Sequence, residues 1–238
     1  MSIASIVEEN RHAIDEELAG TDANWYFSAV TYSLYKAIHP VIKQYAKGKL
    51  LDAGAGHLQF KPLLMMHASH YDSLDVERRH GDVDRLGDIQ DMASIGSETY
   101  DTVFCNQVLE HVPSPWKALR EIHRILKPHG VLILSAPHLS RLHEEPSDYY
   151  RYTQHGFRHL LSQAGFADIR TTTAGGLLSF LFHQVSTVIL GVVWGIPLVK
   201  RVCFFLNKVL LVKGIVWLDE RTGTREKFPV NNIAIAFK

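Results

Sequence analysis

Lys49-Leu50-Leu51-Asp52-Ala53-Gly54-Ala55-Gly56 reads as a buried strand that runs into a glycine turn. Leu50 and Leu51 form the apolar end of the strand, and Asp52 falls where it leaves the core. Gly54 and Gly56 strip side chains from the turn, which lets the backbone take unusual dihedrals and lets a ligand approach closely. Two glycines fit an ordinary strand-ending turn as well as a binding loop. A dinucleotide fingerprint needs a third small residue and a phosphate at a helix N-terminus. Gln59 occupies that third position, and Asp52 would lie near the phosphates, so NAD and FAD are disfavoured.

The strands that follow place further acids at regular intervals. Leu58 to Met66 is expected as a short helix and Tyr71 to Val76 as a second strand. Asp75 follows Asp52 by 23 residues, the length of one strand–helix–strand unit. A carboxylate at a strand end can accept from both hydroxyls of a ribose, and Glu77 competes for that role. The polar stretch from Gly81 to Met92 suggests a short strand at Val83 to Leu86. Asp88 in the loop after it suits an exocyclic amine, with Ile89 against the ring, or else is a solvated turn acid. Tyr100 to Cys105 is a strand ending at Asn106, followed by a helical turn at Gln107 to Val112. Ser114 and Pro115 start a helix with Trp116, Leu119, Ile122 and Leu126 as its buried stripe. Val131 to Ser135 is apolar enough to be buried on both faces. Strands alternating with helices give a doubly wound α/β sheet with ligands beyond the carboxyl ends of its strands.

These motifs, in this order, resemble class I S-adenosylmethionine-dependent methyltransferases. Leu51 to Gly56 resembles the first motif. Tyr100-Asp101-Thr102-Val103 with Val108-Leu109-Glu110-His111-Val112 is similar to the fourth strand and the segment after it. Arg120 to Gly130 resembles the next helix and turn, and Ala164-Gly165-Phe166 the entry to the sixth strand. The resemblance covers about residues 45–173. It implies a mostly parallel, seven-stranded Rossmann-like sheet with an antiparallel last strand, which Asn231 to Phe237 suits. It also implies S-adenosylmethionine as cofactor. Gly54 and Gly56 would lie under the amino-acid part and Asp52 near its amino group. Asp75 would hold the ribose, Asp88 the adenine amine, and Asn106 the wall beside the sulfonium. Many members carry a third glycine where this chain has Leu58.

After the fifth strand comes His138, and then Arg141-Leu142-His143-Glu144-Glu145-Pro146-Ser147-Asp148-Tyr149-Tyr150-Arg151-Tyr152-Thr153. This run resembles a subgroup of the same enzymes with a His-Glu-x-Pro…Asp-Tyr-x-Arg-x-Thr stretch. Methyl transfer to a hydroxyl needs alignment and removal of a proton. His143 is the first candidate base, oriented by Glu144, with His138 and His111 as rivals. Tyr149, Arg151, His111, Tyr26 and Tyr32 are candidate acceptor contacts. Asp148 and Arg151 also fit a purely structural pair, and Thr153 a helix cap. His138, His143 and Glu144 show no tight metal-ligand spacing, so no metal is expected.

The flanks differ from this core. Residues 2–19 alternate acids with apolar residues at helical spacing, and a second helix from about Asn24 to Lys47 carries Trp25, Tyr26, Phe27, Tyr32 and Tyr35. It suits either packing on the domain or a lid over a pocket. Gly175 to Val199 contains 25 residues without a charge. Two strands of one sheet flank this insertion, so an odd number of membrane crossings is excluded. Helices closing a pocket, an oligomer interface such as a homodimer, or a seat in one leaflet remain, the last suited by Trp194, Trp217, Lys200, Arg201, Lys208 and Lys213. The expected organisation is a helical cap over 1–47, a core over 48–174, an apolar helical insertion over 175–230, and a final strand over 231–238.

Twenty-five basic and 25 acidic side chains leave no electrostatic footprint for nucleic acid. Cys105 and Cys203 lie in apolar runs, as buried free thiols do. No signal peptide is expected at the N-terminus, which implies a cytoplasmic location, with the inner face of the membrane as the alternative. The functional expectation is methylation, at oxygen, of a small or lipid-linked acceptor. A non-catalytic cofactor-binding or scaffold protein of the same fold is the alternative, and an aminopropyl transferase a third.

Overall fold

The computed structural model describes residues 3–78 and 83–238. Residue 2 of the expected first helix and the start of the polar stretch at Gly81 lie outside the described residues. Seven strands form one sheet: β1 Lys49–Ala53, β2 His70–Asp75, β3 Arg85–Leu86, β4 Tyr100–Asn106, β5 Leu126–Pro137, β6 Ala167–Ala174 and β7 Asn231–Phe237. Their order is β3-β2-β1-β4-β5-β7-β6. Pairings β1–β2, β1–β4, β2–β3 and β4–β5 are parallel, and β7 runs antiparallel to β5. This is the expected fold class. After β3 the chain returns to the far side of β1, so the order reverses between β1 and β4. That reversal opens a crevice at the carboxyl ends of the two strands.

Apolar sequence in the central strands makes the core. Leu50, Leu51, Val103, Phe104, Leu132, Ile133 and Leu134 are all at most 1% exposed. Helix α4, Pro115–Ile125, covers one face with Ala118, Leu119, Ile122 and Ile125. Two expectations for this helix fail. Trp116 is 44% exposed, because the buried stripe runs through 118, 119, 122 and 125 and position 116 points away from it. Leu126 is buried, but as the first residue of β5. Ser114 makes no side-chain cap; its N–H donates to Gln90 Oε1. Thr153, by contrast, caps α5, Gln154–Gln163, by accepting from Gly156 N.

The chain divides into two units, Met1–Ala37 with Ala174–Val230, and Ile38–Thr173 with Asn231–Lys238. The second holds the sheet. The first is helical, built from α1 Ile3–Leu18, a 3₁₀ turn at Asp22–Tyr26, the start of α2 Ala29–Tyr45, α6 Leu177–Val193, α7 Pro197–Leu206, a π-helical stretch Asn207–Gly214 and α8 Ile215–Thr222. Here α3 is Lys61–Met65, in the sheet unit. The N-terminal segment and the insertion therefore pack as one body: Ile14 and Leu18 of α1 share a core with Leu190 and Trp194. Cys105 is buried and Cys203 half-buried; both are free thiols. No helix among the described residues is long and apolar enough to cross a membrane.

Candidate active site

The turn after β1 takes the conformation its glycines permit. Gly54 has φ +80° and Gly56 φ +51°. A Cβ on Gly54 would stand 2.3 Å from Val108 Cγ2, so this residue lets the turn close against the segment after β4. A Cβ on Gly56 would meet nothing within 4 Å, because Gly56 opens onto a cavity. Leu58, where the resembled family often has glycine, keeps a left-handed φ of +56°. The turn thus preserves the backbone demand with a residue that bears it at a cost of about 1–2 kcal/mol.

The cavity measures about 660 Å³, within the range of small-molecule sites. Its wall comes from the ends of successive strands: Gly54 and Gly56 after β1, Asp75 and Glu77 after β2, Asp88 and Ile89 after β3, Val108 and His111 after β4, and His143, Glu144 and Tyr149 after β5. Asp75 is 8% exposed. Its Oδ2 accepts from Gly56 N at 2.7 Å and its Oδ1 from Glu77 N at 3.2 Å. These two N–H groups fix the carboxylate and leave each oxygen a lone pair for the cavity. Asp88 folds back on Gln90, accepting from its N at 2.8 Å and its Nε2 at 2.9 Å.

Two predicted cofactor residues lie behind the wall. Asp52 is 3% exposed and accepts from the Tyr71 hydroxyl at 2.9 Å. Burial pushes its carboxyl up to about 7, against the lowering effect of Tyr71 and with a smaller push from Asp75. Asn106 Oδ1 accepts from Ser135 Oγ at 2.6 Å. Neither lines the cavity. His138 does not line it either; it is half-buried and its Nδ1 has no hydrogen-bond partner.

His143 and His111 stand together, ring centroids 4.8 Å apart and planes at 80°. Asp148 takes the Nδ1 side of His143, receiving its backbone N–H at 3.0 Å with Nδ1 3.4 Å from Oδ2. Asp148 in turn forms a fork with Arg151, at 2.5 and 2.7 Å. The guanidinium holds its carboxyl well below the usual carboxylate range. Arg151 also donates to the carbonyls of Tyr150 and Arg141, so its donors serve the loop. Tyr26 and Tyr32 belong to the helical unit, where their rings stack at 5.3 Å and Lys208 Nζ sits 3.9 Å from the Tyr26 centroid.

Sequence reasoning passed over Glu110. It is fully buried beside His111, and burial pushes its carboxyl up to about 8. Its signal was an acid inside the apolar run from Val108 to Val112.

The family described as "Methyltransferase domain" matches residues 51–134. A ubiquinone biosynthesis O-methyltransferase of Xanthomonas oryzae pv. oryzae is 28% identical over 140 residues, covering 50% of this chain and 59% of that protein. The chain thus spans less than two thirds of the length of the curated relatives it matches. Among solved structures, a SAM dependent methyltransferase from Archaeoglobus fulgidus superimposes with a TM-score of 0.61 at 14% identity, over 95% of this chain and 99% of that one. The fold is that of the class I S-adenosylmethionine-dependent methyltransferases. Phosphoethanolamine N-methyltransferase 2 from Haemonchus contortus, solved with S-adenosylhomocysteine, gives 0.57 at 17% identity over 100% of this chain and 60% of that one. The family resemblance read from the motifs, the enzyme class and the cofactor it implied all agree with these matches.

Proposed function

We propose that this methyltransferase-fold chain transfers a methyl group from S-adenosylmethionine to an oxygen of a small or lipid-linked acceptor. The observation that carries the reading is Asp75, a buried carboxylate held by Gly56 N at 2.7 Å on the wall of a cavity at the switch point of the sheet. The open side of Gly56 fits a ligand that passes close to the backbone. S-adenosylmethionine, when bound, supplies a carbon activated by positive sulfur. Asp75 would hold its ribose, Asp88 and Ile89 its base, and the Gly54–Gly56 turn its amino-acid part. Asp52, from behind the turn, would favour a cationic amino group.

His111, His143 and Tyr149 form the wall left for the acceptor. Burial lowers the affinity of His143 for a proton, against the raising effect of Asp148, so its imidazole is neutral near pH 7 and able to take the proton of a hydroxyl. The lipid-linked reading has its own observation. Residues 175–218 carry no acid and four cations, and Leu181, Val185, Val188, Val202 and Phe205 are each at least 40% exposed. That combination suits the surface of an anionic membrane, where this helical face would meet its acceptor.

Methyl-labelled S-adenosylmethionine incubated with the protein and either an aqueous or a detergent-solubilised lipid extract tests both parts. Label is expected in an organic-soluble product that resists mild base, as an ether does, and is expected to be lost in Asp75→Ala. Label only in aqueous products would remove the lipid reading. No turnover with either extract would contradict the transferase reading.

A further inference from the structure

Two histidines of the cavity wall, His111 and His143, meet over the buried Glu110, although the sequence sets His143 more than 30 residues from the other two. Glu110 is fully buried, and neither of its carboxylate oxygens has a hydrogen-bond partner. Its Oε1 lies 3.7 Å from His111 Nε2 and 3.9 Å from His143 Nε2. One ligand atom from each residue falls within 4.8 Å of the other two. The opposite nitrogen of each ring is committed. His111 Nδ1 is 2.7 Å from the Ser147 carbonyl. His143 Nδ1 is 3.3 Å from the Arg141 carbonyl and 3.4 Å from Asp148 Oδ2. Those partners only accept, so in neutral rings the hydrogens sit on Nδ1. Both Nε2 lone pairs then face the Glu110 carboxylate.

Three lone-pair centres converging at 3.7 and 3.9 Å are too far apart to share hydrogen bonds. In a buried place such an arrangement is costly unless a positive centre lies among them. The surroundings also match what metal-binding histidines need, since each ring is fixed by a carbonyl or carboxylate on its far nitrogen.

We propose that Glu110, His111 and His143 bind one divalent transition-metal cation, with its open coordination position facing the cavity. Two imidazoles and one carboxylate suit zinc or a similar first-row ion, whereas calcium and magnesium call for more oxygen ligands. A cation about 2.1 Å from each donor needs them roughly 3–4 Å apart, which a small inward rotation of the rings provides. The site itself does not depend on the methyl-transfer reading, but its role does. A coordinated acceptor hydroxyl loses its proton more readily. The O–H bond breaks and the proton passes to water; the oxygen's electron pair forms the O–C bond as the S–C bond of the sulfonium breaks, and sulfur keeps that pair as the neutral thioether of S-adenosylhomocysteine. In that state His143 is a ligand rather than a base.

The test is calorimetric titration of Zn²⁺ alone into full-length protein stripped with a chelator, with Co²⁺ absorption as the spectroscopic counterpart. One equivalent per chain is expected, with visible Co²⁺ bands of a four- or five-coordinate ion. His143→Ala and Glu110→Gln are each expected to weaken this binding at least tenfold. Position 143 lies on a cavity-facing loop, so its variant keeps the test readable if the buried one fails to fold; circular dichroism checks both. Absence of stoichiometric binding, or affinity unchanged in folded His143→Ala, would overturn the site. S-adenosylhomocysteine binding, measured separately, reports on the methyl-transfer reading, so either idea can fail alone.

Discussion

Gly54 and Gly56 look alike in sequence, yet the structure gives them different duties. At Gly54 an added Cβ collides with Val108 at 2.3 Å and meets a φ of +80°. At Gly56 it meets only space and a φ of +51°. Gly54→Ala should therefore cost about 2–4 kcal/mol of stability from backbone strain and overpacking together. Gly56→Ala should cost about 1–2 kcal/mol, from strain alone, while intruding on the cofactor. Thermal melts paired with S-adenosylhomocysteine titrations separate the two: both variants lose binding, and only the first loses much stability. Asp52 gives the pH-dependent counterpart. Its folded-state carboxyl titrates near 7, above the usual value near 4, so the folded protein holds a proton that the unfolded chain has released. The stability this confers is complete below about pH 4 and is lost as pH rises through 7. Wild type should lose about 2–4 kcal/mol between pH 4 and pH 8 from this group, and Asp52→Asn should flatten that part of the profile in urea melts. The acids at strand ends were legible in sequence because one strand–helix–strand unit fixes their spacing. The cluster of Glu110, His111 and His143 was not. Only the return of the loop after β5 brings His143 to the segment after β4, and spacing along the chain carries no record of that.

At the scale of elements, α6 begins without a cap of its own. Gly176 precedes it and offers no side chain. Asp219 of α8 supplies the acceptor instead, taking N–H bonds from Gly176, Leu178 and Ser179 at 2.7–3.1 Å and the Thr224 hydroxyl at 2.6 Å. Burial presses its carboxyl upward, but the donors of Ser179, Thr224 and Gly176 prevail and hold it low. Its contribution is thus present above the ordinary carboxylate range and is lost as pH falls through the lowered value. Asp219→Ala strands these buried N–H groups and should cost about 2–4 kcal/mol. Hydrogen exchange should show the first turn of α6 opening before the rest of the helix; unchanged protection there would contradict the capping role. Nothing in the sequence announced this bond, since a cap supplied from a residue 40 positions away leaves no local signature. Elements with local signals were legible: α5 with Thr153, β4, and the antiparallel β7. Trp116 was misplaced because the stripe was read from aromatic and aliphatic size, whereas α4 buries the small Ala118 in its place.

For the whole molecule, the fold class was readable because hydrophobic runs and helices alternate in the α/β pattern, whereas the strand order, with its switch point between β1 and β4, emerges only in the structure. The association of α1 with the apolar insertion in one helical unit was not readable, because it joins segments from the two ends of the chain. The proposed cofactor site lies at the switch point, and Asp75 is its central residue. Calorimetric titration of S-adenosylhomocysteine into the wild-type protein and into Asp75→Ala tests it most directly. One saturable site per chain is expected, weakened at least tenfold by the substitution, as for loss of a charged hydrogen-bond acceptor. A wild-type protein that shows no saturable binding, or an Asp75→Ala protein that binds as tightly as wild type, would contradict it.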